Sequence, residues 1–248
     1  MGSSDYHRAM ASSPAWVAGA DGCRGGWVVV LRQRASGELR VRTAARFADV
    51  LALPERPRVI AVDMPIALPR LAVRGGRDAE RAARALLGRR GCTVFSSPTV
   101  GALAAFRAGG DHRAVSAANR RSAVGAPGLT LQTYYLLRKI DEVAQVLTRV
   151  ADRVVIEAHP ELAFLEANGG APIVVPKHTP SGRRARTRLL ARLGYLPATR
   201  RLAGAAVDDL LDACIACWTA ERRAAGRALV VPARAPVDAR GISTGIWR

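Results

Sequence analysis

Lysine is nearly absent from this chain. Only Lys139 and Lys177 stand among 38 basic residues, the rest being arginine. A GC-rich genome would produce that bias without selection for phosphate contact. It accounts for the choice of arginine, not for the excess of positive charge. With 20 acidic residues the formal net charge is +18, far more than solubility needs, which favours a polyanionic partner with nucleic acid as the first candidate. The plainer reading is a well-solvated basic surface.

Cysteine is scarce as well. Cys23, Cys92, Cys214 and Cys217 are few and scattered, which argues against a disulfide framework or a four-ligand zinc site and fits a reducing, cytoplasmic location. The Cys214-x-x-Cys217 pair lies in an apolar helical pattern and reads as core packing. The longest apolar stretches, such as Trp16 to Ala20 and Val28 to Leu31, are too short to cross a bilayer, so no membrane association is expected. Residues 1 to 14 have no apolar segment of the kind secretion needs and read as a leader outside the fold. Neither phosphate-cradling glycine signature, G-x-x-x-x-G-K-[ST] or G-x-G-x-x-G, is present. The four tryptophans, Trp16, Trp27, Trp218 and Trp247, are too dispersed to propose a stacking platform for bases.

What is present is a core. The 248 residues are 49% hydrophobic, enough for one large domain, and residues 15 to 248 read as one because no composition shift marks a boundary. Trp16 to Asp21 and Trp27 to Leu31 form a hairpin pattern across the turn Gly22 to Gly26. Leu39 to Ala44 alternates as a third strand, Phe47 to Leu53 is helical, and Arg58 to Asp63 is a fourth strand. Asp78 to Leu87 and Gln132 to Leu147 have helical spacing, and residues 107 to 128 look like a mobile connection between them. Arg153 to Glu157 is a fifth strand, followed by helices at Pro160 to Ala167, after the basic loop of Lys177, and at Val207 to Arg223. The expected fold class is α/β, a mixed five-stranded sheet flanked by helices, with helical insertions between strands 4 and 5.

Three strands end in a carboxylate: Asp21, Asp63 and Glu157. In an open α/β sheet the carboxyl ends of the strands gather ligands, so acids far apart in sequence can converge there. Asp209 and Asp212, three residues apart, share one face of the last long helix. The aspartates at 208 and 209 alone would serve the positive end of the helix dipole. Asp212 sits a turn further in, beside Ala213 and Ala216, whose small size lets the helix approach the sheet. Clustered carboxylates repel unless cations neutralise them, and hard oxygen donors suit Mg²⁺ or Mn²⁺. Two such ions about 4 Å apart can activate a water and stabilise a leaving oxygen in phosphodiester hydrolysis. His159 reads equally as a proton-transfer or metal-assisting residue and as part of a structural turn before Pro160. Lys177, Arg183 and Arg186 suit phosphate contacts or a solvated face, and Arg24 could pair with Asp21 or meet a phosphate.

The blocks Asp21-Gly22-Cys23-Arg24-Gly25-Gly26-Trp27, Val62-Asp63-Met64-Pro65-Ile66, Ile156-Glu157-Ala158-His159-Pro160-Glu161 and Asp208-Asp209-Leu210-Leu211-Asp212-Ala213 resemble the "domain of unknown function 429" family of predicted RNase H-like nucleases. The intervening segments Arg84 to Pro98, Gln132 to Glu142 and Lys177 to Arg186 follow in that family's order. The resemblance implies an RNase H-like fold with metal-binding acids on the first strand, the fourth strand and the last helix, and cleavage of DNA or RNA. Two other readings stay open. One is a basic nucleic-acid-binding module without catalysis. The other is an ATP-dependent phosphotransferase of the actin and sugar-kinase type, which usually repeats its Asp-Gly motif in a second half that this chain lacks.

Overall fold

The computed structural model describes residues 16–147, 154–199, 202–238 and 242–248. The leader read at residues 1 to 14 lies outside them. Strands β1 (Trp16–Cys23), β2 (Gly26–Gln33) and β3 (Leu39–Ala44) form an antiparallel meander. A short helix α1 (Phe47–Leu51) leads to β4 (Val59–Val62), which lies parallel to β1, and β5 (Val154–Glu157) lies parallel to β4. The sheet order is β3-β2-β1-β4-β5, so the fold is an α/β arrangement around a mixed five-stranded sheet. Val59 to Val62 are all buried, as a parallel strand covered on both faces requires.

Between β4 and β5 the chain builds α2 (Asp78–Leu87), a 3₁₀ segment (Gly88–Thr93), α3 (Val100–Arg107), α4 (His112–Arg120) and α5 (Leu131–Val146). The segment at 107 to 128, read from sequence as a mobile connection, is thus partly helical. Its helix α4 is short, as is α3 before it, and each is started by a capping side chain: Thr99 accepts from Ala102 N (3.1 Å) and Asp111 from Ala114 N (2.8 Å). After β5 come α6 (Pro160–Ala167), α7 (Pro180–Leu193) and α8 (Val207–Ala224), then a two-stranded ribbon of β6 (Val230–Val231) and β7 (Ile246–Trp247).

Alternation along the strands divides the core. Val17, Val28, Val59, Ala61 and Ile156 face α6, α7 and α8. Ala18, Ala20, Val29, Ile60 and Val62 face the opposite side, where Phe47 and Val50 of α1 and Ile140 and Val143 of α5 cover them. Among the described residues no helix is long and apolar enough to cross a membrane.

The contact that matters most for the site is the crossing of α8 over β1. A Cβ built on Gly19 would lie 2.6 Å from the carbonyl carbon of Ala216 and closer still to Cys217 N and Ala213 O. Glycine on the strand and alanines on the helix therefore allow a backbone approach that larger side chains would prevent. Cys214 and Cys217 are wholly buried in this packing, and burial pushes both thiols well above their usual range.

Candidate metal centre

Register places the first two acids side by side. Ala20 of β1 pairs with Val62 of β4, and Asp63 N donates to Ala20 O at 3.1 Å. Asp21 and Asp63 are each one residue beyond that pair and continue the faces of Val17 and Gly19 and of Val59 and Ala61, toward α8. Asp212, 1% exposed, meets them from the helix. One carboxylate oxygen from each of Asp21, Asp63 and Asp212 lies within 4.8 Å of the others.

Burial, helped by neighbouring carboxylates, raises all three. Burial, then Asp63 and Asp212, hold Asp21 well above the carboxylate range. Burial pushes Asp63 up to about 7 and Asp212 up to about 6, Lys177 opposing in both cases. The Lys177 ammonium donates to Asp212 Oδ2. Burial pulls Lys177 down, but Asp212, Asp63 and Asp21 together outweigh it and keep the amine above its ordinary value. The chain's other lysine has different work: Lys139 Nζ donates to Gly26 O at 2.7 Å and lies over the Trp27 ring, holding the hairpin.

Glu157 does not join the three aspartates. Its strand partner is Val62, not Asp63, and in a pleated sheet a one-residue offset turns the side chain to the other face. There it accepts from Ile66 N (3.1 Å) and from both terminal nitrogens of Arg77, one at 3.0 Å. Arg77 also donates through Nε to Glu80 at 2.8 Å, and both glutamates are buried. Arg77 and Glu80 are site neighbours that the sequence reading missed; the acid three residues after Arg77 marks a helix start but says nothing about Glu157.

The remaining candidates divide in the same way. Asp209 accepts from Ala206 N at 2.8 Å, so its carboxylate caps α8 rather than meeting the cluster. Asp208 pairs with Arg183 at 2.8 Å. Arg186, expected to contact phosphate, is 1% exposed: it donates to Glu161 Oε1 (2.6 Å), Val175 O (3.1 Å) and Gly182 O (3.2 Å). That position corrects the sequence reading, because a guanidinium enclosed by protein cannot reach a nucleic-acid backbone. Arg24 is exposed in the hairpin turn, and no ion pair joins it to Asp21. His159 lines a recess with Asp63, Glu157 and Arg77. Burial lowers its pKa and keeps the ring neutral; Nε2 lies 3.4 Å from Thr93 O and Nδ1 has no hydrogen-bond partner.

These observations define an α/β protein with a three-aspartate cluster where β1, β4 and α8 meet. The sequence model of the family described as Protein of unknown function (DUF429) matches residues 19–237, and the chain belongs to that family. No curated protein and no solved structure is significantly similar to it.

Proposed function

We propose that the protein is a divalent-metal-dependent nuclease with an RNase H-like fold, hydrolysing phosphodiester bonds of DNA or RNA. The carrying observation is the convergence of Asp21, Asp63 and Asp212 within 4.8 Å. Acids on the first strand, just after the fourth and on the last long helix of a mixed five-stranded sheet are the arrangement this reading expects. The donor set fits the ion: all-oxygen carboxylates suit Mg²⁺ or Mn²⁺, and a bound cation would offset the cost of ionising three buried, adjacent carboxyls. When bound, the metal supplies Lewis-acid charge that activates water and stabilises the leaving oxygen.

The chain's own residues divide the remaining tasks. Asp21, Asp63 and Asp212 would hold the ion, and the α8 crossing at Gly19 keeps Asp212 in reach. Arg24, exposed in the hairpin turn, and Arg183, partly exposed and paired with Asp208, stand in segments from which they can meet phosphates. His159, neutral because of its burial, lines the recess beside Asp63 with its Nδ1 unpartnered, and would need that recess to open before the ring could take a proton. The net charge of +18 supplies long-range attraction to a polyanion.

A second reading has its own support. Lys177 partly neutralises the cluster without any metal, as a non-catalytic nucleic-acid-binding module would permit. Labelled single-stranded, duplex and junction oligonucleotides separate the two. The nuclease reading expects Mg²⁺- or Mn²⁺-dependent cleavage that Asp21→Asn and Asp212→Asn abolish while binding persists. Cleavage that survives chelator, or is undiminished in both variants, refutes the metal mechanism; binding with no wild-type cleavage establishes the module.

A further inference from the structure

We propose that Lys177 occupies the position of a second cation, so that the three-aspartate cluster takes one divalent ion and not two. This rests on the metal-dependent reading above. With their protons displaced by a bound metal, Asp21, Asp63 and Asp212 would carry three negative charges against one ammonium, and a single divalent ion would balance the remainder. A second would need another carboxylate. The other carboxylates beside the cluster are committed elsewhere: Glu157 to Arg77 and the Ile66 amide, Asp209 to the Ala206 amide, and Glu161 to Arg186 and Arg90.

The loop that carries Lys177 is built to place it. Thr179 Oγ1 and the Thr179 amide both donate to Pro176 O, at 2.8 and 3.1 Å, and Gly182 N donates to Thr179 Oγ1 at 3.1 Å. Gly182 leaves room for this turn, since a Cβ there would fall on the Pro176 carbonyl. From beneath, buried Arg186 binds Val175 O and is fixed in turn by Glu161, whose Oε1 also accepts from Arg90 at 3.0 Å. A surface lysine pairing by chance would need no such support. The Lys177 side chain nevertheless remains 44% exposed, so its ammonium faces both the aspartates and the solvent from which a phosphate would approach. Arg186 is then a positioning residue, acting on the site through the Lys177 loop.

The test is Mn²⁺ binding to the full chain, followed by calorimetry and electron paramagnetic resonance, beside cleavage of labelled oligonucleotides. The variants are Lys177→Met, which keeps length and removes charge, and Lys177→Arg, which keeps charge; circular dichroism verifies folding of each. Wild type is expected to bind one Mn²⁺ with an isolated-ion spectrum. Lys177→Met should admit a second, spin-coupled ion and lose on the order of a hundredfold in cleavage, the loss typical of removing one charge-stabilising group, and Lys177→Arg should restore the single-ion stoichiometry. Two coupled ions in wild type overturn the proposal, and if that protein still cleaves, the nuclease reading survives. An unchanged stoichiometry in Lys177→Met overturns it equally. One ion in wild type and two in Lys177→Met, with no cleavage by either, sustains the role of Lys177 and refutes the nuclease. No Mn²⁺ binding by wild type refutes both.

Discussion

Replacing Gly19 by alanine tests the α8 crossing on which the cluster depends. Taken alone, the substitution would stabilise the chain by about 0.4–1 kcal/mol, because alanine loses less backbone entropy on folding. The crossing opposes this. The new methyl would sit 2.6 Å from the Ala216 carbonyl carbon and nearer still to two other backbone atoms of α8, whereas carbon atoms rest about 3.5–4.0 Å apart. The obstructing atoms are backbone, so no side chain can rotate away and the helix must retreat by about 1 Å. Overpacking of this kind costs about 1–3 kcal/mol and occasionally more, which outweighs the entropic gain. A net loss of about 2 kcal/mol lowers Tm by roughly 4–8 °C in a domain of this size. The same retreat carries Asp212 away from Asp21 and Asp63, and a displacement of about 1 Å at a reacting centre costs about a hundredfold in rate. Thermal unfolding followed by circular dichroism, with Mn²⁺ titration of the same samples, measures both consequences. Gly101→Ala is the control, since the nearest atom to its new methyl is Thr99 Oγ1 at 3.8 Å. A Gly19→Ala variant that melts with wild type and binds Mn²⁺ as tightly would refute the close-crossing argument.

Other consequences can be checked with the same preparations. Asp63 and Asp212, raised to about 7 and about 6, hold protons in the folded chain that the unfolded chain has released. Their stabilising contribution is therefore complete below the ordinary carboxylate range and is lost as pH rises through about 6 to 7. Melting of the metal-free protein should show wild type losing stability relative to Asp63→Asn over that window, with Mn²⁺ restoring it above; parallel curves for the two proteins would contradict the shift. Glu157→Gln should leave Mn²⁺ affinity nearly unchanged in calorimetry, whereas Asp21→Asn should abolish it, and equal losses would place Glu157 among the ligands. Arg186→Met leaves Glu161 in a buried site with Arg90 alone and should cost about 3–5 kcal/mol in denaturant unfolding; a cost under about 1 kcal/mol would mean that this ion pair is solvated after all.

The sequence carried the site further than it carried the wiring around it. Asp21 and Asp63 were legible because each closes a short apolar strand, and Asp212 because Ala213 and Ala216 beside it announce a close helix. Glu157 closes a strand in the same way, but its facing depends on pairing with Val62 instead of Asp63, and one sequence does not contain a register between strands whose paired residues lie 95 positions apart. Arg186 was misplaced for a related reason. Within the arginine-rich α7 nothing local distinguishes it from Arg183 or Arg184; only its height above Glu161 buries it. The insertion helices α3 and α4 were obscured by small residues and glycines, which weaken periodicity, and the caps that start them, Thr99 and Asp111, were not read as such. The mixed character of the sheet followed more readily, since the short connections after β1 and β2 favour antiparallel neighbours while the long helical crossover before β5 permits a parallel one.

The most direct measurement is an anomalous-difference map from crystals of the full chain soaked in Mn²⁺. A peak within bonding reach of Asp21, Asp63 and Asp212, absent from Asp21→Asn crystals, is the predicted result. A map with no peak there, or with Mn²⁺ bound only at other carboxylates, would contradict the claim that these three aspartates form the metal centre.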